Sequence, residues 1–325
     1  MPLWLVICGL GITQIIGWGT TYYALGAISQ EVAASTGWSS ALIFGAFSAA
    51  LLLSGVISRR AGRWTDRVGG RRGVVAGSLC ASAGLLMLGL MPHPVTYIAG
   101  WLVLGIAMRL ATYDAAFASL AQIVGGNARR AISYLTLFGG IASTIFWPLS
   151  HYLSLETGWA NTLLVYAALH LFIRLPIHWA VLGAAQGEGQ GAEPAQHAAP
   201  PLSREHRFRA MALFSAAVAL NGLVFSAISA HAVPLFGKLG FGGEEAVFMA
   251  ALIGPAQVMS RVGEIAMGRH LTPLQLGMLA FGLLPVAIAL FVLLGFSWGA
   301  ALLFAVLYGS SNGLVTIAKG AVPLM

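Results

Sequence analysis

Two arginines, Arg109 and Arg261, and one carboxylate, Asp114, stand inside long hydrocarbon stretches, and they are where this sequence could do chemistry. A charged side chain at the centre of a membrane helix costs about 2.5–3.5 kcal/mol on insertion scales, so each needs a reason to be there. Arg109 falls about fourteen residues into its apolar run, near mid-depth, where snorkelling is hard. A cation at that depth suits an anionic substrate or a buried carboxylate partner. Asp114 lies five residues on, about 140° around a regular helix, so it is expected off Arg109's face and beside a different partner. A carboxylate that takes up and releases a proton could couple protons to another process; a structural role is the other reading. Arg261 is the second arginine within an apolar run, although its span is expected to end close enough for it to snorkel. Arg174 and Lys319 are expected at inner ends of spans, also snorkelling, and Glu264 at a cytoplasmic end.

Uncharged polar residues join them at mid-span. Gln14, Thr20, Thr21 and Tyr22 lie in the first span, Asn221 in the seventh and Asn312 in the tenth. Singly, each is explained by an interhelical hydrogen bond; as a set they suggest a polar pathway. His151, His170, His178 and His231 show no metal-ligand spacing and stay unassigned. An intramembrane enzyme would need paired His, Ser/His, Asp/Asp or metal constellations. None is evident, so no catalytic residue, metal or cofactor is expected.

The elements that carry these residues follow from composition. A chain 58% hydrophobic and 8% charged, with mean hydropathy +0.84, is far from the roughly 25% charge of soluble domains. Backbone groups in lipid must bond internally, and the ten-residue alternation of barrel strands is missing, so the class is all-α and polytopic. Ten spans are expected, at about 3–28, 40–58, 73–91, 95–118, 132–153, 161–183, 210–232, 245–263, 273–294 and 298–320. Between the sixth and seventh, residues 184–209 turn polar and rich in Gly, Gln and Pro, a linker between bundles at 1–183 and 210–325. Other connections hold Gly, Pro or charge, among them Gly125-Gly126-Asn127. Cys8 and Cys80 sit within spans and imply neither a disulfide nor a metal site. The opening MPLWLVICGLGI has no basic leader and reads as a retained first span.

Basic residues orient the chain. If the stretch Ser58–Gly73 is a cytoplasmic loop, inside loops hold Arg59, Arg60, Arg63, Arg67, Arg71, Arg72, Arg129, Arg130, Arg204, Arg207, Arg209 and Arg269, while outside loops hold Lys238 alone. That asymmetry puts the N-terminus in the cytoplasm, and it explains the net charge of +7 without nucleic acid. The sequence also repeats. Ala27-Ile28-Ser29 returns as Ala227-Ile228-Ser229, and Ser58-Arg59 as Ser260-Arg261, each near the end of the corresponding span. At that offset Met325 falls level with residue 125, after the fourth span of the first half. Two further helices are therefore expected beyond it, with a natural ten-helix protein as the alternative.

Gly62-x-x-x-Asp66-Arg67-x-Gly69-x-Arg71-Arg72, between the second and third spans, resembles the loop signature of the major facilitator superfamily. Gly17-Trp18-Gly19, Thr112-Tyr113-Asp114-Ala115-Ala116-Phe117 and Tyr308-Gly309-Ser310-Ser311-Asn312-Gly313 look most like its bacterial monocarboxylate-porter-like branch. The resemblance implies a two-bundle fold with ten of twelve helices present, and alternating access around a midplane cavity. It implies a gating motif of Gly62, Asp66, Arg67, Gly69, Arg71 and Arg72, in which Asp66 helps lock the outward-facing state. Its partners there would be a nearby basic residue and the N-terminal end of an eleventh helix. It also matches Arg261 to the substrate-anion arginine of monocarboxylate porters, with Val262 where proline often follows. The substrate-binding candidates are then Arg109, Arg261, Gln14, Tyr22, Asn221 and Asn312, with Asp114 for proton coupling. The expected function is secondary transport of a small solute, preferably an organic anion, by a monomer in the bilayer of a bacterial inner membrane. Export of drugs or metalloid oxyanions is the nearest alternative, although Gly139-Gly140 and Trp147-Pro148 do not reproduce the antiporter pattern of the fifth span. An inactive truncated transporter is a third.

Overall fold

Among the described residues of the computed structural model, ten helices are long and apolar enough to cross a membrane. The structure describes residues 2–124, 128–185, 204–267, 272–295 and 297–321. The spanning helices are α1 (Leu3–Thr36), α2 (Ser40–Val68), α3 (Gly70–Leu90), α4 (Pro94–Val124), α5 (Arg130–Thr157), α6 (Trp159–Gly183), α7 (Glu205–Lys238), α8 (Gly243–Met267), α9 (Leu274–Leu293) and α10 (Trp298–Lys319). No strand occurs among the described residues. The Gly125-Gly126-Asn127 connection, most of the linker (186–203) and Arg269 lie outside the described residues. The chain forms two compact units, Met1–Ala192 and Glu193–Met325.

Several helices outrun their apolar cores, because a helix continues past the hydrocarbon until its sequence stops it. The basic stretch Ser58–Gly73 shows this and corrects the expectation of a loop. α2 stays helical through Val68, and the chain reverses at one residue, Gly69, with φ +90°. Only glycine adopts that conformation without a Cβ penalty. Gly62 faces open space, so a Cβ there would meet nothing.

In the first unit, glycine lets helices touch backbone to backbone. A Cβ on Gly84 would lie 2.9 Å from the Gly100 carbonyl oxygen, and one on Gly100 3.0 Å from that of Gly84. A Cβ on Gly77 would meet Ala111 Cβ at 2.6 Å. These contacts clamp α3 to α4, as small residues do in membrane bundles. At the other end of the unit, Glu31 Oε1 of α1 accepts the Trp159 backbone N–H at 3.0 Å, and Ser35 Oγ accepts its indole N–H at 2.8 Å. Glu31 thereby caps α6, whose own N-cap, Gly158, has no side chain to do it.

Candidate functional site

Three membrane helices of the first unit depart from regular geometry, and the departures meet. α1 contains a π-helical turn at Gly19–Tyr23, where Ala24 N–H bonds the Gly19 carbonyl five residues back. α6 contains another at His170–Arg174, closed by Leu175 N–H on the His170 carbonyl. α4 breaks outright: helices Pro94–Ala111 and Tyr113–Val124 are joined by Thr112 in an extended conformation (φ −92°, ψ −164°). Such single π turns concentrate at functional sites.

A stripe of α6 connects the three. His170, Arg174 and His178, four residues apart, are all essentially buried. Arg174 donates through Nη2 to the Ala111 carbonyl oxygen, the last residue before the α4 break, and through Nη1 to His170 Nδ1 at 3.3 Å. A guanidinium only donates, so His170 Nδ1 accepts and its Nε2–H donates to Thr20 Oγ1 at 2.7 Å. Thr20 in turn gives its proton to the Ile16 carbonyl at 2.7 Å, within the turn of α1 that leads into the bulge. Below, Ser78 Oγ of α3 donates to the Val74 carbonyl at 3.0 Å and accepts from His178 Nδ1 at 2.9 Å. Gly17 makes room for the arginine, since a Cβ there would lie 2.5 Å from Nη2. Arg174 is thus an interior residue, not a snorkelling one, because carbonyl and imidazole acceptors replace the headgroup it would otherwise seek. No carboxylate pairs with it among the described residues.

The break changes what its flanking charges can do. Arg109 Nη1 forms an ion pair with Asp114 Oδ2. A continuous helix would hold them about 140° apart; the extended Thr112 resets the angle and brings them together, which corrects the expectation of separate partners. Arg109 sits in the last turn of the helix before the break and Asp114 in the first turn after it. Each charge therefore faces the favourable end of its own half-helix dipole. Arg109 is 24% exposed and Asp114 66% exposed.

Aromatic rings line one side. Trp18 lies 4.4 Å from Tyr22 and 5.2 Å from Tyr113 between centroids, and Tyr22 meets Phe47 edge-on at 5.9 Å. Tyr22 is within electrostatic reach of both charges of the pair. Tyr113 threads its hydroxyl over Gly139 of α5 and donates to the Thr136 carbonyl at 3.2 Å. Gln14 is buried and donates to the Ala111 carbonyl at 3.2 Å, the same acceptor Arg174 uses.

The remaining candidates lie elsewhere. Asp66 and Arg67 are exposed at the end of α2, and Asp66 has no ion pair among the described residues. Arg72 is exposed, whereas Arg71 stacks over the Trp179 ring at 3.8 Å and lies against Gly183, both of α6. In the second unit Arg261 is buried, not snorkelling. It donates to the Gly313 carbonyl at 3.3 Å, to Gln257 Oε1 at 3.4 Å and to Thr316 Oγ1 at 3.3 Å. Glu264 is buried as well. Asn221 and Asn312 are buried, and neither side-chain Nδ2 has a hydrogen-bond partner among the described residues. No group of His, Cys, Asp or Glu among the described residues could hold a metal.

Arg174, His170, Thr20 and Ser78 are the residues that reading the sequence undervalued. The signal was the spacing of His170, Arg174 and His178, which places all three on one helical face.

The profile of the Major Facilitator Superfamily matches residues 8–322, and the chain belongs to that family. It is a multi-pass membrane protein of the secondary-transporter class. No curated protein sequence matches it. Among solved structures it is similar to the human organic anion transporter MFSD10 (TETRAN), at 15% identity and TM-score 0.68, over 100% of this chain and 86% of that one. The partially occluded inward-open xylose transporter XylE from E. coli gives 11% identity and TM-score 0.68, over 100% and 88%. A D-xylose-proton symporter gives 13% and 0.60, over 96% and 80%.

Proposed function

We propose that this protein carries a small organic anion across a bacterial inner membrane, with its N-terminus in the cytoplasm, and that Arg109 and Asp114 form the exchangeable charge pair of the pathway. The observation that carries the reading is the exposure of Asp114. A carboxylate two-thirds uncovered within a spanning helix cannot face lipid at tolerable cost, so it faces water.

From that position the pair works as a switch. With Asp114 ionised, Arg109 is occupied. A proton on Asp114 weakens the pair and frees the guanidinium for a substrate carboxylate, so proton and anion load together. Release of the anion restores the pair when the proton leaves. Tyr22, Trp18 and Tyr113 supply an amphipathic wall beside it. Arg261 would join only by exchanging its bonds to Gly313, Gln257 and Thr316 for bonds to the anion. Asp66 and Arg67, exposed at the end of α2, belong to the cytoplasmic gate. The monocarboxylate-porter-like branch fits this assignment through the stretches around Gly17, Thr112 and Tyr308, and it makes C1–C4 monocarboxylates the first substrates to try. The similarity to an organic anion transporter is consistent with that choice, and the xylose-proton symporter with proton coupling.

The test is uptake of radiolabelled formate, acetate, lactate and pyruvate into proteoliposomes, with and without an inward proton gradient. Saturable uptake of at least one, lost in Arg109→Ala, is expected. Absence of flux for every anion under both conditions would overturn the proposal.

A further inference from the structure

The break in α4 has only a weak local cause. Thr112 Oγ1 donates to the Met108 carbonyl at 2.6 Å, a bond that bends helices, but the same bond from Thr316 Oγ1 to the Asn312 carbonyl at 2.9 Å leaves α10 unbroken. Helices kink sharply at Pro, at Gly/Ser pairs, at π turns, or where a side chain or water intrudes on the backbone ladder. Residues 108–116 (MRLATYDAA) contain no Pro, Gly or Ser, and the turns on either side close normally, with Thr112 N–H to Met108 O at 3.3 Å and Ala116 N–H to Thr112 O at 3.1 Å. What remains is intrusion, and the intruders are present. Arg174 and Gln14, 63 and 97 residues away in sequence, both donate to the Ala111 carbonyl. In a regular helix that oxygen would belong to the amide of Ala115. The arginine is the stronger donor, being charged and free of any carboxylate, and Gly17 is shaped to admit it.

We propose that Arg174 is a positioning residue that holds the α4 break open through the Ala111 carbonyl and so sets Arg109 and Asp114 face to face. It acts from α6, a helix that contributes none of the exposed charges. His170 and Thr20 fix the guanidinium by tying it to the π turn of α1, so the three irregular segments form one hydrogen-bonded unit. Without Arg174, α4 closes into a continuous helix, the amides of residues 113–115 regain carbonyl partners one turn back, and the charge pair separates around the helix.

The inference rests on the reading of Arg109 and Asp114 as the exchangeable pair, but its test does not involve transport. Hydrogen–deuterium exchange of the full chain in nanodiscs, followed by mass spectrometry, reads the amides at 113–115. In Arg174→Met these amides are expected to slow by at least about tenfold, while α8 and α10 keep their rates. Arg174→Lys, which retains a charged donor, stays near the wild-type rate. A purely structural role predicts the opposite sign, with faster exchange spread through the first unit. Unchanged or faster exchange at 113–115 in Arg174→Met overturns the proposal, as does equal slowing in the lysine variant. If the methionine variant does not fold, Arg174→Leu, which also lacks a donor, is read by the same criterion. Slowed exchange in a protein that carries no anion would defeat the functional reading and leave this one standing.

Discussion

Arg174 and Arg261 are both buried within the membrane, and both donate to a main-chain carbonyl on the fourth helix of their half, yet they reach it from different helices. The acceptors, Ala111 of α4 and Gly313 of α10, are separated by 202 residues, the offset that also relates Ser58-Arg59 to Ser260-Arg261. The repeat therefore preserves the carbonyl that receives an arginine and not the arginine itself. In the first half it comes from α6, and the residue equivalent to Arg261, Arg59, is exposed. In the second half it comes from α8. The consequences differ too. α10 runs unbroken from Trp298 to Ala321, while α4 breaks directly after its acceptor. At Gly313 the arginine's contact is long and shared with Gln257 and Thr316; at Ala111 it is close and reinforced by Gln14. An arginine on a carbonyl is therefore compatible with an intact helix, and the broken helix is the one whose acceptor oxygen receives two donors.

Removing charge from the open side should have the largest effect. Arg109→Ala is expected to lower kcat/KM for the transported anion roughly 10–150-fold, the equivalent of one charged hydrogen bond of about 1.5–3 kcal/mol, measured by proteoliposome uptake. Asp114→Asn should instead keep uptake but remove its dependence on the proton gradient, because the partner of Arg109 no longer has a carboxylate to carry the proton. Equal losses in both variants would mean that the pair is a structural bridge.

The glycines beside the two arginines come next. Gly313→Ala forces a Cβ to 2.6 Å from the Gln257 carbonyl oxygen, which is backbone and cannot give way; Gly17→Ala meets the Arg174 guanidinium at 2.5 Å, a side-chain end that can shift by giving up its bonds to Ala111 and His170. Overpacking of this kind costs about 1–3 kcal/mol, so thermal unfolding in detergent should place Gly313→Ala at the upper end and Gly17→Ala below it. Gly62→Ala sharpens the contrast from the other side. With open space around it in mid-helix, the substitution should be neutral or stabilising by up to about 1 kcal/mol, although Gly62 lies in the stretch that resembles the family's loop signature.

The parts of this architecture that were legible in sequence are those set by local hydrophobicity. Ten apolar runs became ten helices, and the family motif around Asp66 pointed to the superfamily that the profile match establishes. The reading of Ser58–Gly73 as a loop failed because charge marks where a helix leaves hydrocarbon, whereas helix termination needs a residue such as Gly69. The charge pair was missed for a different reason. Helical geometry separates positions 109 and 114, and the break that joins them is imposed by Arg174 and Gln14, which no local pattern connects to α4. Gly17 and Thr112, noticed only within stretches of family resemblance, prove to be the socket for Arg174 and the break itself.

Access of water to position 114 tests the central claim most directly. In a Cys8→Ala/Cys80→Ala background, Asp114→Cys can be treated with a membrane-impermeant thiosulfonate in permeabilised membranes. Modification within minutes, slowed by whichever anion the protein transports, is the predicted result. A cysteine that stays unmodified from both sides of the membrane would contradict the account, because it would place residue 114 away from any aqueous path.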